Sequence, residues 1–562
     1  MVKRAFHILN QEISGLHEAA YLLGACALAS QLLALFRDRI FASTFGASRT
    51  LDIYYSAFRI PDLIFVSIAS LVSVSVLIPF FIEKFKNGEE SGREFVDTSF
   101  SFFFFTITGA SLLVFFLVPI LTPYVFPGFT GEPVMNQLIV LIRIMLLSPI
   151  FLGVSNFLAS ITQMHNRFFV YALSPILYNI GIIIGVLLFY PLWGLQGLAW
   201  GVVLGAGLHF LIQAPFVLEK GLFPKLRFPI EFGEVKNLVF HSLPRTLALS
   251  ANQIATFFLV GYASLLSAGS IAVFNFSWNL QSVPLSIIGV SYASAAFPAL
   301  SRYISQGKRD VFLNQMIISA RHIIFWSIPT MALFVVLRAQ IVRTILGSGN
   351  FSWADTRLTA ACLAIFIFSV VPQSLLLLFV RGYYALGKTW KPLIINVLSS
   401  VFMILLGYFF VYLFKTNQVF RYFIETLFKV DGISGSIVLV LPLSYSVGTF
   451  LNTLIHWIAF QGEFKAFNRP VLKTFFTSFS AAVIIGYVAY LFLNVFDKVF
   501  NINTLAGIFL QGFFSGIIGI AVGILVLIMM KNEEINDVWQ TLHHKIWKAK
   551  VVGADPTENT ML

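Results

Sequence analysis

Apolar runs long enough to cross a bilayer alternate with short polar breaks along almost the whole chain. About 20 apolar residues at 1.5 Å rise per residue span the hydrocarbon as a helix. Fourteen runs of that kind are expected, at 19–45, 52–82, 98–122, 135–163, 168–190, 195–218, 237–263, 270–298, 315–338, 356–384, 391–414, 432–460, 471–495 and 503–530. The pattern predicts an all-α polytopic membrane protein. Its parts are an interfacial segment over 1–18, a first lobe of six spans over 19–218 and a basic linker over 219–236. A second lobe of six spans follows over 237–460, then an appended pair over 471–530 and a polar tail over 531–562. In the first segment Phe6, Leu9, Ile13 and Leu16 share one face, as expected of a helix lying in the interface.

The apolar pattern is broken most conspicuously between Gln31 and Pro79. The first two spans carry Arg37, Asp38, Arg39, Asp52, Arg59 and Asp62, and an ionised side chain inside a span costs several kcal/mol unless it snorkels, pairs or faces water. Asp52, Tyr55, Arg59 and Asp62 fall at i, i+3, i+7 and i+10, one face of a helix, which Ser70 and Ser73 extend. Such a stripe wants a wet cavity or a partner helix. Three plainer readings stand beside that one. Arg39 is near a helix end and can reach the headgroups; Asp52 opens a helix and can cap it; Arg37 and Asp38 can pair with Asp62 and Arg59 only to hold two helices together.

Composition agrees with the pattern. Of 562 residues 58% are hydrophobic and 11% charged, with mean hydropathy +0.86; a soluble domain carries about 25% charged residues. The net charge of +12 matters less than where it sits. With the N-terminus inside, cytoplasmic segments hold 22 of the 37 Lys and Arg and the opposite side holds 8, with 7 in or near spans. That bias places both termini in the cytoplasm, and nucleic acid is not needed to explain the charge. No cleavable signal peptide is expected, since the first 18 residues lack an apolar core. Cys26 and Cys362 both lie inside apolar runs, so no disulfide framework or metal cluster is expected. No phosphate-binding loop, H-E-x-x-H or G-x-S-x-G is found, and the nine histidines do not cluster inside spans. No enzyme activity and no cofactor are expected.

A faint internal repeat organises the spans. Pro175-Ile-Leu-Tyr-Asn179 is echoed by Pro392-Leu-Ile-Ile-Asn396 at the fifth span of each lobe, and Gly194-Leu-Gln-Gly197 by Gly432-Ile-Ser-Gly435 at the sixth. Six spans per repeat leave the two lobes in the same orientation, a plan in which transporters hold substrate between the halves. The second copy carries an extra loop from Lys415 to Asp431 on the outer side.

The run Arg37-Asp38-x-x-x-Ala42-x-x-Phe45-Gly46, then Asp52 and Phe58-Arg59-Ile60-Pro61, resembles the opening of the MurJ (MviN) family. PILYNIGIIIG at 175–185, GLQGLAWGVVLGAGLHFLIQAP at 194–215, PRTLALSANQI at 244–254 and RGYYALGKTWKP at 381–392 agree with it. The resemblance covers essentially the whole chain. It implies the fold of the multidrug/oligosaccharidyl-lipid/polysaccharide (MOP) exporter superfamily, with MATE-like lobes. It also implies flipping of lipid II, the undecaprenyl-pyrophosphate-linked peptidoglycan precursor, across the bacterial cytoplasmic membrane. Another polyprenyl-pyrophosphate-linked oligosaccharide, or a non-transporting scaffold within the cell-wall synthesis machinery, are the alternatives. Where the family carries further arginines, this chain has Gln31, a position near Phe65, and Asn279; Arg37 stands where the family has one. A pyrophosphate needs cationic and neutral donors. The candidate substrate residues are therefore Arg37, Asp38, Asp52, Arg59, Asp62, Asn179, Arg245 and Gln253, and the expected partners are the lipid-linked glycan and membrane lipids.

Overall fold

The computed structural model describes residues 16–69, 74–129, 131–165, 167–228, 232–536 and 538. The interfacial segment and most of the polar tail lie outside the described residues, as do Ser70 and Ser73. Every regular element among the described residues is helical. Among the described residues eleven helices are long and apolar enough to cross a membrane, or twelve if the bent pair Trp353–Ile367 and Val370–Ala385, at 41°, counts as one span. Fourteen were expected, and the first two are not among those counted. The first is a continuous helix, Leu16–Phe45, whose apolar run is interrupted by Arg37, Asp38 and Arg39. The second includes the helices Arg49–Ala57, Arg59–Ala69 and Val74–Lys86, with 70–73 outside the described residues. Its break at Phe58 has a local cause. Pro61 has no N–H for the carbonyl of Ala57, four residues back, so the helix ends and restarts.

Close packing follows the small residues. In the helix pair Phe168–Ile184 and Leu195–Leu211, Gly181, Gly185, Gly201 and Gly205 let two backbones meet. A Cβ on Gly181 would lie 2.2 Å from the Gly205 Cα, and one on Gly201 2.4 Å from the Gly185 Cα. Membrane helices lack a hydrophobic drive to associate, so such small-residue seams supply the contact. The internal repeat also has a conformational basis. Gly194 (φ +58) and Gly432 (φ +70) stand in the same place before the sixth span of each lobe, in a backbone region that suits glycine.

The lobes meet at one end of the bundle, called here the Gly46 end. Gly269 (φ +89) leaves room for Ala47, whose carbonyl oxygen would lie 2.2 Å from a Cβ there. Asn350 donates its backbone N–H to Ser43 O at 2.9 Å and its side-chain amide to Thr44 O at 2.7 Å. Arg39 donates to the carbonyls of Thr344 (2.7 Å) and Ile345 (3.2 Å), at the C-terminal end of the helix Arg338–Leu346. Arg39 was expected to reach the headgroups; the exposed helix-end carbonyls of the other lobe hold it instead. The helix Phe232–Ser264 starts inside the segment expected as a linker, so the basic stretch is partly helical.

Candidate functional site

A cavity of about 380 Å³ lies between the lobes. The first lobe contributes Arg37, Tyr55, Arg59 and Asp62; the second contributes Gln253, Asn275 and Asn279. Arg37 comes from the interrupted part of Leu16–Phe45. Tyr55, Arg59 and Asp62 come from the two sides of the break at Phe58, which keeps them on one wall.

The charges are arranged as a chain of contacts. Arg37 donates through Nε (3.1 Å) and Nη2 (2.8 Å) to the same oxygen of Asp38, and through Nη1 to Asn179 Oδ1 at 3.0 Å. Asn179 in turn donates to Pro175 O at 3.0 Å. By this bond the first copy of the P-x-x-x-N motif closes on itself. The other oxygen of Asp38, a residue 2% exposed, accepts from Asn279 Nδ2 at 2.8 Å. Asp38 thus bridges the lobes. Where the resembled family has an arginine, Asn279 supplies a neutral donor that fixes Asp38 without adding charge.

Arg59 donates from Nη2 to Asn275 Oδ1 at 2.5 Å, and Asn275 donates to Ile271 O at 2.8 Å. The Arg59 Nε and the Tyr55 hydroxyl are buried with no hydrogen-bond partner in the structure. An unmet buried donor costs about 1–3 kcal/mol, so both donors favour an anionic or acceptor-rich occupant. Two guanidiniums, Arg37 and Arg59, are offset by Asp38 behind Arg37 and by Asp62 in the wall, so the charges of the site nearly balance.

The residues singled out in the sequence divide three ways. Arg37, Arg59, Asp62 and Gln253 line the cavity, and Asp38 and Asn179 stand directly behind Arg37. Asp52 is elsewhere. Its carboxylate, 1% exposed, accepts from the backbone N–H of Gly269 (2.7 Å) and of Ala272 (3.0 Å). It caps the helix Ser270–Pro284 from the opposite lobe, and so closes the Gly46 end rather than lining the cavity. Arg245 is on the helix Phe232–Ser264 and its side chain falls outside the described residues. Sequence reasoning missed Asn275, although Asn275 and Asn279 at i and i+4 in an apolar run are the same kind of signal as the charged stripe.

The model of the family described as "Lipid II flippase MurJ" matches residues 41–418. This chain belongs to the MurJ family. A probable lipid II flippase MurJ of Buchnera aphidicola subsp. Schizaphis graminum is 26% identical over 505 residues, 86% of this chain and 94% of that relative. A solved MurJ structure, described as inward closed, superposes with TM-score 0.71 at 23% identity, covering 92% of this chain and 99% of that one. An inward-facing MATE-family multidrug resistance transporter of the MOP superfamily gives TM-score 0.62 at 14% identity, over 78% of this chain and 96% of that one. The fold is therefore the all-α polytopic membrane fold that these two solved transporters share.

Proposed function

We propose that the chain flips lipid II from the inner to the outer leaflet of the cytoplasmic membrane by alternating access. The observation that carries this is the inter-lobe cavity, where Arg37 and Arg59 of one lobe face amide donors of the other. The skew of Lys and Arg puts both termini in the cytoplasm, which makes the Gly46 end the outer one. In this state the outer end is shut by Arg39, Asn350 and Asp52, and the cavity is set to receive substrate from the cytoplasmic side.

The geometry suggests how a pyrophosphate engages. It carries two or more negative charges and competes with Asp38 for Arg37, while Arg59 Nε and Tyr55 Oη offer donors not otherwise used. Displacing Asp38 from Arg37 loosens its link to Asn279 and with it one tie between the lobes. Binding is thereby coupled to lobe movement through a shared carboxylate. Asp62, on the same wall, offsets Arg59 and keeps the empty site from trapping small anions. The role is transport without bond-making or bond-breaking, so no residue is assigned a catalytic step.

Complementation tests the proposal. Cells depleted of their own lipid II flippase should survive on this chain and regain lipid II at the outer face. Normal expression and insertion with no lipid II exposure would reject lipid II as the substrate.

A further inference from the structure

A second cavity, of about 540 Å³, lies at the Gly46 end, away from the inter-lobe site. Three cations line it: Arg338, Arg357 and Lys429. All three belong to the minority of Lys and Arg on the outer side, where the general bias disfavours them, so their convergence needs a cause. No carboxylate lines the cavity among the described residues. Among the described residues none of the three is paired with one, although Arg421 nearby is tied to Glu425 at 3.0 Å.

The cations are held in place by backbone. Arg338 donates to Val335 O at 2.8 Å. Arg357 donates through Nε to Lys429 O at 3.1 Å and also through Nη2. That carbonyl is aimed at Arg357 because Lys429 is left-handed (φ 60) at the end of the helix Gln418–Phe428. Apart from Gln340, which donates to Gln511 Oε1 at 3.3 Å, the remaining wall is largely apolar, with Val336 from one helix and Tyr487 and Tyr490 from Asn468–Asp497; both tyrosines are more than half exposed.

The depth of the cavity follows from the helix Gln418–Phe428, part of the loop that the first lobe lacks. It exposes Val419, Tyr422, Phe423 and Leu427, an apolar face of the kind that lies in the headgroup boundary. Lys429 at its C-terminal end is therefore at headgroup level, with an apolar wall running from it along the membrane helices. Cations at headgroup depth above an aromatic, lipid-facing wall match an amphiphile with an anionic head.

We propose that this cavity binds the phosphate headgroup of an anionic phospholipid, with its acyl chains along Tyr487 and Tyr490. The leaflet, the outer one, rests on the orientation proposed above; the binding does not, so the two can fail separately.

The test is native mass spectrometry of the full chain in detergent supplied with phosphatidylglycerol or phosphatidylcholine. Lys429→Asn removes a charge and suits the left-handed backbone, so it should fold normally. It should weaken phosphatidylglycerol retention about fivefold, and adding Arg357→Gln should multiply the loss by a similar factor, from the usual contribution of one cation near an anionic surface. An unchanged melting temperature in Lys429→Asn ties the loss to the site. Equal retention of phosphatidylglycerol by wild type and double variant, or equal retention of phosphatidylcholine by wild type, would overturn the proposal. Displacement of the lipid by millimolar glycerol phosphate would overturn the lipid assignment in favour of a soluble phosphate.

Discussion

Removing the Asp52 carboxylate should open the Gly46 end. Asp52 accepts two backbone N–H groups, at 2.7 Å and 3.0 Å, from a helix whose sequence position is more than 200 residues away. Replacing a capping side chain by alanine costs about 0.5–2 kcal/mol, and a hydrogen bond to a charged group contributes about 1.5–3 kcal/mol. Some of that returns as water reaches the freed amides once the ends part. A net cost of about 2–3 kcal/mol is a fair figure for Asp52→Ala, falling on the closed arrangement rather than on either lobe. At about 1.4 kcal/mol per factor of ten, the ratio of closed to open molecules should fall roughly 30- to 150-fold. Spin labels at Gln196 and Ala354, both exposed and in opposite lobes, report the separation by pulsed dipolar spectroscopy. Asp52→Ala should add or enlarge a longer-distance population, and Asp52→Asn, which keeps one acceptor but loses the charge, should fall between. A distance distribution identical to wild type, from protein of normal yield, would refute the inter-lobe role of this cap.

Two further outcomes follow from packing and charge. Gly201→Val places a side chain where 2.4 Å separates a Cβ from the Gly185 Cα; overpacking of this kind costs about 1–3 kcal/mol, so the melting temperature should drop. Gly207→Ala, which meets nothing within 4 Å, should leave it unchanged. After the last span, buried Glu534 binds Arg321 at 2.7 Å and Thr474 at 2.6 Å. Burial alone would raise its pKa, but the bonds from Thr474 and Arg321 outweigh it and hold the carboxyl below the ordinary value of about 4.5. A depressed folded value means this stabilisation is complete above about pH 4.5 and is lost as the pH falls through the folded value. Melting temperature should therefore decline more steeply below that pH in wild type than in Glu534→Gln. Parallel curves would contradict the assignment.

The membrane architecture was legible because period and length alone carry it: long apolar runs leave few alternatives to helices. The charged stripe was legible for the same reason, since Arg37, Arg59 and Asp62 stand out against their surroundings. Their meeting with Asn275 in one cavity was not, because a single sequence does not encode which helices of two lobes meet. Asp52 shows the limit most clearly. Its place at the start of a helix suggested a cap for that helix, and it caps a different one, across the lobe boundary. Arg39 misled similarly, because a helix-end arginine has headgroups as its default partner until the fold supplies carbonyls. The break at Phe58 was hidden by the length of the second span, although Pro61 marked it.

The central claim is that Arg37 is used for the pyrophosphate and not only for holding Asp38. The most direct measurement is lipid II exposure in flippase-depleted cells carrying wild type, Arg37→Lys, Arg37→Ala, or Arg37→Ala with Asp38→Asn, at matched protein level. The double variant removes the buried carboxylate that Arg37→Ala leaves with Asn279 as its side-chain partner, so it separates folding from function. A charge-assisted bond contributes about 1.5–3 kcal/mol, which predicts at least a tenfold loss of rate in Arg37→Ala and in the double variant. Arg37→Lys, which keeps the charge without the fork of donors, should retain partial activity. Native-rate lipid II exposure by the double variant would contradict the account.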